Sequence, residues 1–149
     1  MSKKYIAYGS NLSVEQMAYR CPDAKIIGMA AIQDWKLVFR THATIEPAVG
    51  RVVPVLIWKI SEADEKRLDL YEGYPSYYFK KDMQVTMTDR NGRNPQEVTA
   101  MVYLMADGHP IRTPMKSYYD TLEEGYQRFG FNTYLLERAF EEAMEVELR

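Results

Sequence analysis

The segment Val52–Ile60 reads VVPVLIWKI, and it constrains the fold more than any other part of the chain. β-Branched and aromatic side chains favour a strand. The segment is too apolar for a strand with one face in water, so it predicts a strand that is buried on both faces. Pro54 lies inside the segment and cannot donate a backbone hydrogen bond, which indicates an edge position or a bulge at that point.

Turn and cap signals divide the rest of the chain into short elements. The other predicted strands are Tyr5–Tyr8, Ile26–Ile32, Trp35–Arg40, Tyr77–Thr88 and Glu97–Ala106, and His42–Ile45 extends one of these or forms another. The predicted helices run over 13–20, 61–72, 115–129 and 134–148. Turns are predicted at Gln33–Asp34 and Asp89–Arg93, and a loop at Ala48–Arg51. Short turns favour antiparallel pairing, so we expect one α+β domain over residues 1–149 with a mixed sheet that can close on itself.

Composition argues against several classes of protein. A net charge of −2 gives no electrostatic footprint for nucleic acid or a membrane surface. Cys21 is the one cysteine and there are two histidines, so we expect neither an intrachain disulfide nor a Cys/His zinc site. No apolar run approaches the roughly 20 residues of a membrane span, and the run Tyr5–Tyr8 is too short for the core of a secretory signal. We expect a cytoplasmic protein, and the sequence does not indicate its oligomeric state.

The sequence YGSNL, Tyr8–Leu12, lies between the first predicted strand and the first predicted helix. Gly9 and Asn11 tolerate unusual backbone angles, and unpaired N–H groups at a helix start favour an anion. A loop this short suits a single carboxylate, and the GxxxxGK pattern of a nucleotide site is not present. The alternative is a simple strand-to-helix turn without a ligand.

Glu72 is a second candidate because it lies at the end of the second predicted helix. The negative end of the helix dipole disfavours a carboxylate, and so does burial among aromatic neighbours. The nearest aromatic residues in the sequence are Tyr71, Tyr74, Tyr77 and Tyr78. A buried Glu72 would therefore have a raised pKa, which suits a general acid or base. The alternative is an exposed glutamate at a frayed helix end.

Other reactive residue types show no recognisable pattern. His42 and His109 have no catalytic or metal-binding partner at a recognisable spacing, so we expect both to be loop residues. Cys21 precedes Pro22 at a helix end, which favours packing over nucleophilic chemistry. Ser10 lies in no GxSxG motif, so nothing local supports a Ser-His-Asp triad.

Several of these motifs together resemble the γ-glutamylcyclotransferase-like family, which includes plant avirulence-induced-like proteins and γ-glutamylamine cyclotransferases. The motifs are YGSNL, Trp58–Ser61, Leu68–Asp69, Glu72–Gly73 and Tyr78, followed by Pro114, Tyr118 and Gly125. The resemblance extends from Tyr5 to about Phe131.

The resemblance implies a small mixed, mostly antiparallel β-barrel flanked by helices. It implies a transferase or lyase, without metal or organic cofactor, whose partner is a small-molecule γ-glutamyl amide. The substrate α-amine attacks the δ-carbonyl, and 5-oxoproline and a free amine are released. Glu72 would be the general acid/base. The implied substrate-binding residues are Tyr8, Gly9, Ser10, Asn11, Leu12, Tyr78 and Tyr118, with Tyr119 competing for the place of Tyr118.

Two departures from the family pattern leave the identity of the released amine undetermined. Pro54 and Val55 stand where many relatives have a glycine-rich stretch, and Gly73–Pro75 differs from the glutathione-cycle enzymes. The amine is an amino acid, a lysine ε-amine, a polyamine or a biosynthetic intermediate. Two other functions compete with catalysis: binding of a small carboxylate metabolite, and an interaction module on the same fold.

Overall fold

The computed structural model describes residues 2–149 and places five strands in one sheet. The strands are β1 (Ser2–Ala7), β2 (Lys25–Arg40), β3 (His42–Ser61), β4 (Tyr78–Met87) and β5 (Gln96–Met105). A 3₁₀ turn (Ser10–Leu12) precedes the helices α1 (Val14–Arg20), α2 (Glu62–Glu72), α3 (Lys116–Arg128) and α4 (Thr133–Glu147). The α+β class predicted from the sequence is confirmed.

The sheet is mixed, with the strand order β2-β3-β1-β5-β4. β1 pairs antiparallel with β3 and parallel with β5, and the other pairs are antiparallel. The outer strand β2 also reaches the end of β4, where Met29 and Thr88 exchange two backbone hydrogen bonds of 2.9 and 2.8 Å. Within residues 2–149 no continuous ladder joins the two edges, so the expected barrel is a curled sheet that is not closed.

Gly28 allows the two edges of the sheet to meet. A Cβ atom at this position would lie 2.5 Å from the Met87 Cγ and 2.6 Å from the Thr88 carbonyl oxygen. Both distances are far below van der Waals contact. The approach of β2 to the end of β4 therefore requires a residue without a side chain.

β2 and β3 form one long hairpin, and two sequence predictions are wrong here. Gln33–Asp34 is not a turn and Ala48–Arg51 is not a loop, because both segments lie within β2 and β3, which pair from Lys25–Lys59 to Arg40–His42. Asp34 and residues 48–51 bulge out of the ladder between the pairs Gln33–Val52 and Trp35–Pro47. In this bulge Asp34 and Gly50 have φ of 64° and 81°. The Gly50 N–H donates a 2.8 Å hydrogen bond to the Asp34 carboxylate. Turn-forming residues here accommodate a bulge, which demands the same backbone angles as a turn.

The centre of β3 is buried on both faces, as its composition predicts. Val55, Leu56 and Ile57 have no exposed surface. Pro54 pairs with Ala31 of β2 beyond the point where β1 ends opposite Leu56. On that side Pro54 has no strand neighbour, so the missing N–H costs no ladder bond.

Local caps define the helix that carries Glu72. The Ser61 side chain accepts a bond from the Asp64 N–H, and the Asp64 side chain accepts one from the Ser61 N–H, which is the reciprocal pattern the sequence predicts. Gly73 ends the helix with φ of 66°. Glu72 is therefore held at the last helical position. None of the helices in the described chain is long and apolar enough to cross a membrane.

Candidate active site

A cavity of about 160 Å³ lies where the YGSNL segment, the end of α2 and the first turn of α3 meet. Its lining residues are Tyr5, Ile6, Tyr8, Gly9, Ser10, Asn11, His42, Ala43, Tyr71, Glu72, Tyr77, Tyr78, Tyr103 and Tyr118. All the site residues predicted from the sequence line this cavity, with the exception of Leu12. The structure thus brings together two motifs that are separated by sixty-odd residues in the chain.

Leu12 is the one predicted substrate-binding residue that does not line the cavity. Its side chain has no exposed surface and packs against Gly125, where a Cβ would lie 2.7 Å from the Leu12 Cβ. Its N–H donates to the Gly9 carbonyl at 3.0 Å, which closes the 3₁₀ turn. Leu12 is therefore a packing residue that ties the turn to α3.

The backbone of the YGSNL segment carries unpaired donors. The N–H groups of Gly9, Ser10 and Asn11 donate to no acceptor among residues 2–149. Successive N–H groups at the start of a helical turn form a site for an anion. Because these residues line the cavity, the donors are available to a carboxylate bound there.

Asn11 is fixed on three sides. The Trp58 Nε1–H donates to its backbone oxygen at 3.1 Å, the Arg20 guanidinium donates to its side-chain oxygen, and its side-chain N–H donates to the Tyr5 hydroxyl at 2.8 Å. The residue is 2% exposed. Asn11 therefore contributes a rigid backbone to the site, since its amide side chain is already bonded.

Glu72 is half-buried and lines the cavity. No described residue donates a hydrogen bond to its carboxylate. Burial raises its pKa to about 7, and the positive charge of Arg20 opposes this increase only in part. A carboxyl group with this pKa exchanges a proton readily at neutral pH, which suits a general acid/base.

Two tyrosines hold the backbone of Ala43 at the cavity wall. The Tyr78 hydroxyl donates to the Ala43 carbonyl at 2.6 Å, and the Tyr118 hydroxyl accepts from the Ala43 N–H at 3.1 Å. The Tyr119 ring packs against Phe39 and Phe140 and does not line the cavity. The sequence left open which of Tyr118 and Tyr119 lines the pocket, and in the structure it is Tyr118.

His42 is a site residue that the sequence did not indicate. It is the first residue of β3 and not a loop residue, and its Nδ1 lies 2.8 Å from the Tyr77 hydroxyl. Partial burial lowers the pKa of His42. The His109 ring also packs against Tyr77, with ring centroids 4.8 Å apart and the ring planes tilted by 43°. No local spacing reveals a pair that lies 35 residues apart, so only the fold shows it.

Arg20 is a second residue that sequence reasoning missed. Its guanidinium carbon lies 3.4 Å from the centroid of the Tyr71 ring. The Tyr71 hydroxyl in turn lies 3.0 Å from the Ser10 Oγ. In the sequence Arg20 is only a basic residue in the last turn of α1, which is a common position for a cation.

Comparison with known proteins identifies relatives over most of the chain. The sequence model of the family described as "Gamma-glutamyl cyclotransferase, AIG2-like" matches residues 5–128. The γ-glutamylcyclotransferases of Bos taurus and Mus musculus are 31% and 32% identical over 115 residues. These alignments cover 69% of this chain but 59% of each relative, so the chain spans about three fifths of the curated relatives' length.

Solved structures show the same fold. A structure titled "Gamma-glutamyl cyclotransferase" is 27% identical, with a TM-score of 0.75 over 93% of this chain and 86% of that chain. A human protein described as uncharacterized is 29% identical, with the same TM-score and the same coverage of both chains. The YGSNL motif and Glu72 both lie within the part of the chain that the family model matches.

Proposed function

The chain belongs to the γ-glutamyl cyclotransferase, AIG2-like family, and on this basis we propose that it cleaves a γ-glutamyl amide into 5-oxoproline and a free amine. The observation that carries the proposal is the position of Glu72. A carboxyl group with a pKa of about 7 faces the same cavity as three unpaired backbone N–H groups. One group can move protons and the other can hold a carboxylate.

The size of the cavity supports a small ligand. Its volume of about 160 Å³ is below the roughly 300 Å³ at which pockets for drug-sized ligands begin. A γ-glutamyl group has few non-hydrogen atoms and carries an α-carboxylate. We propose that the N–H groups of Gly9, Ser10 and Asn11 bind this carboxylate.

Glu72 then transfers the protons that the reaction must move. The α-ammonium of the substrate gives a proton to the Glu72 carboxylate, and the free amine attacks the δ-carbonyl carbon of the same molecule. A five-membered lactam forms while the C–N bond to the leaving amine breaks, and Glu72 passes its proton to that nitrogen. The Glu72 carboxylate then takes the second proton from the attacking nitrogen and releases it to solvent, which leaves a neutral lactam, a free amine and an ionised Glu72. Attack within one molecule gains from proximity, so the protein chiefly has to fold the substrate and carry the proton. The sequence of steps needs no metal or organic cofactor.

The two tyrosines at Ala43 have different roles in this proposal. Tyr118 accepts its hydrogen bond from Ala43, so its own O–H is available to the oxyanion that develops on the δ-carbonyl oxygen. Tyr78 already donates its proton to the Ala43 carbonyl. We assign Tyr78 to positioning the cavity wall.

The test of the proposal is the Glu72→Gln variant, which keeps the size of the side chain and removes the proton carrier. Wild type and variant are incubated with a panel of γ-glutamyl amides, and both 5-oxoproline and free amine are measured. We expect the variant to lose about 10²–10⁴-fold in kcat. The control Glu62→Gln lies at the exposed opposite end of α2 and should retain wild-type activity.

Two results would contradict the proposal. A Glu72→Gln variant with near wild-type rates would show that another group carries the proton. Saturable binding of γ-glutamyl amides to the wild type without release of amine would instead favour a non-catalytic binder.

A further inference from the structure

The hydroxyl protons of the cavity are not equally available. Tyr8 donates its proton to the Tyr103 carbonyl at 2.7 Å, and Tyr78 donates to the Ala43 carbonyl at 2.6 Å. Tyr103 donates to the Asp69 carboxylate at 2.6 Å. Each hydroxyl has a single proton, so these three tyrosines have none left for a ligand.

Tyr5 differs from these tyrosines because its hydroxyl oxygen is an acceptor. The Arg20 guanidinium has only donors, so the atom of Asn11 that it contacts must be the side-chain oxygen. This fixes the orientation of the Asn11 amide and turns its N–H toward Tyr5, at 2.8 Å. The Tyr5 O–H itself has no acceptor within hydrogen-bond distance among residues 2–149. Tyr5 is 4% exposed and lines the cavity.

We infer that Tyr5 is a second hydroxyl donor, beside Tyr118, to the oxyanion that forms on the substrate δ-carbonyl oxygen, and that the chain Arg20–Asn11–Tyr5 sets its strength. The inference deepens the proposed function and rests on it. The hydroxyl keeps its proton throughout and contributes a hydrogen bond, so no covalent step at Tyr5 is involved.

The chain of hydrogen bonds makes Tyr5 a better donor. A positive charge at Arg20 polarises the Asn11 amide, and the N–H that Asn11 donates draws electron density from the Tyr5 oxygen. Hydrogen bonds in series strengthen one another in a water-poor site. Burial and the nearby Glu72 charge raise the pKa of Tyr5, so the group stays protonated and acts as a donor, not as a base.

Glu72 is the competing acceptor for the Tyr5 proton. The two groups share the cavity without forming a hydrogen bond. In the proposed reaction Glu72 becomes neutral when it takes the proton of the α-ammonium. The developing oxyanion is then the stronger acceptor that faces Tyr5, so the bond strengthens as the lactam closes. A hydrogen bond that grows toward the transition state raises kcat and leaves KM nearly unchanged.

The first test is Tyr5→Phe, which removes the hydroxyl and keeps the ring. We expect kcat to fall about 10²–10³-fold with KM within about threefold of the wild type. The matched control is Tyr126→Phe, because Tyr126 is fully buried in the core and its hydroxyl has no hydrogen-bond partner in the described chain. That control should retain the wild-type kcat.

The second test keeps the Tyr5 hydroxyl but gives its O–H an acceptor within the protein. Asn11→Asp replaces the N–H that faces Tyr5 by an acceptor oxygen and keeps an oxygen for Arg20. We expect kcat to fall as in Tyr5→Phe, and the double variant to lose no more than either single one. Arg20→Met should also lower kcat. In addition it should move the acid limb of the pH–rate profile to higher pH, because the Arg20 charge lowers the pKa of Glu72 and the variant lacks that charge. Tyr5→Phe should leave that limb in place.

The outcomes separate the inference from the function on which it rests. If the wild type forms no 5-oxoproline from any γ-glutamyl amide, the proposed function fails and the inference fails with it. If the wild type is active and the kcat of Tyr5→Phe stays within twofold, or only KM changes, the inference alone is overturned. Asn11→Asp keeps every buried ring and gives the same readout if Tyr5→Phe does not fold.

Discussion

The hydroxyl oxygen of Tyr118 lies 3.1 Å from the backbone nitrogen of Ala43, which donates a hydrogen bond to it. α3 and β3 thus meet at the backbone of Ala43 on the cavity wall. Gly9 faces the same hydroxyl, and a Cβ at Gly9 would lie 3.4 Å from it. Tyr118 therefore has a fixed oxygen, a free proton and contact with the segment that we propose binds the carboxylate.

Tyr118→Phe should lower kcat by about 10²-fold or more, because it removes a donor to the developing oxyanion. Tyr119→Phe is the matched control, since it makes the same change on the adjacent residue, whose ring packs against Phe39 and Phe140 outside the cavity. Steady-state kinetics with one γ-glutamyl amide compares the two. Equal losses in both variants would contradict a specific role for the Tyr118 hydroxyl.

The activity should depend on pH through Glu72. The group acts first as a base, so it must be ionised in the free enzyme, and its pKa is about 7. We expect kcat/KM to rise about tenfold per pH unit up to pH ~7 and to level off above it. The measurement is a pH–rate profile from pH 5 to 8. A flat profile over this range would show that Glu72 does not carry the proton.

The raised pKa of Glu72 also predicts a cost in stability. A carboxyl with a higher pKa in the folded than in the unfolded protein stabilises the fold fully below the unfolded value of about 4.3, and this stability is lost as the pH rises to about 7. Glu72→Gln removes the ionisation, so at pH 8 the free energy of unfolding should increase by roughly 1–3 kcal/mol.

Urea unfolding at pH 5 and pH 8 checks this prediction. The advantage of Glu72→Gln over the wild type should be smaller at pH 5 than at pH 8. Glu62→Gln, on the same helix, is measured in parallel. A variant that is less stable than the wild type at both pH values would mean that the Glu72 carboxylate makes favourable contacts in the fold.

Gly125→Ala should disturb the site through packing. A Cβ on Gly125 would lie 2.7 Å from the Leu12 Cβ, and neither atom is the flexible end of a side chain. α3 must then move away from the 3₁₀ turn, which costs about 1–3 kcal/mol of unfolding free energy and displaces Tyr118 on the same helix. The Tm of thermal unfolding and kcat/KM should both decrease. Gln127→Ala, a change at an exposed position of the same helix, should alter neither.

The features that the sequence predicted well are those that depend on neighbouring residues. Ser13, Ser61 and Gly73 begin or end their helices through hydrogen bonds and backbone angles within a few residues. The same holds for the turn at Asp89–Arg93, where the Asp89 carboxylate accepts from two nearby backbone N–H groups. Glu72 was predicted as a site residue from its position at a helix end together with the family resemblance.

The features that the sequence did not predict depend on pairing across the fold. The bulge at Asp34 and Gly50 depends on how the two long strands pair with each other, and no local sequence pattern predicts that register. His42 reaches Tyr77 only because β3 begins beside the start of β4. Leu12 was assigned to the site because it belongs to the YGSNL motif, but the 3₁₀ turn points its side chain into the core.

The bridge between Met29 and Thr88 bears on how the protein behaves at high concentration. The free edges of a sheet offer unpaired backbone groups to the strands of other molecules, which is a common route to aggregation. At this bridge the two edges pair with each other, so that part of the edge cannot recruit a strand from a second copy. Gly28 keeps the edges together, because any side chain there would collide with Met87. The smallest residue in β2 thus leaves fewer unpaired backbone groups on the exposed edges of the sheet.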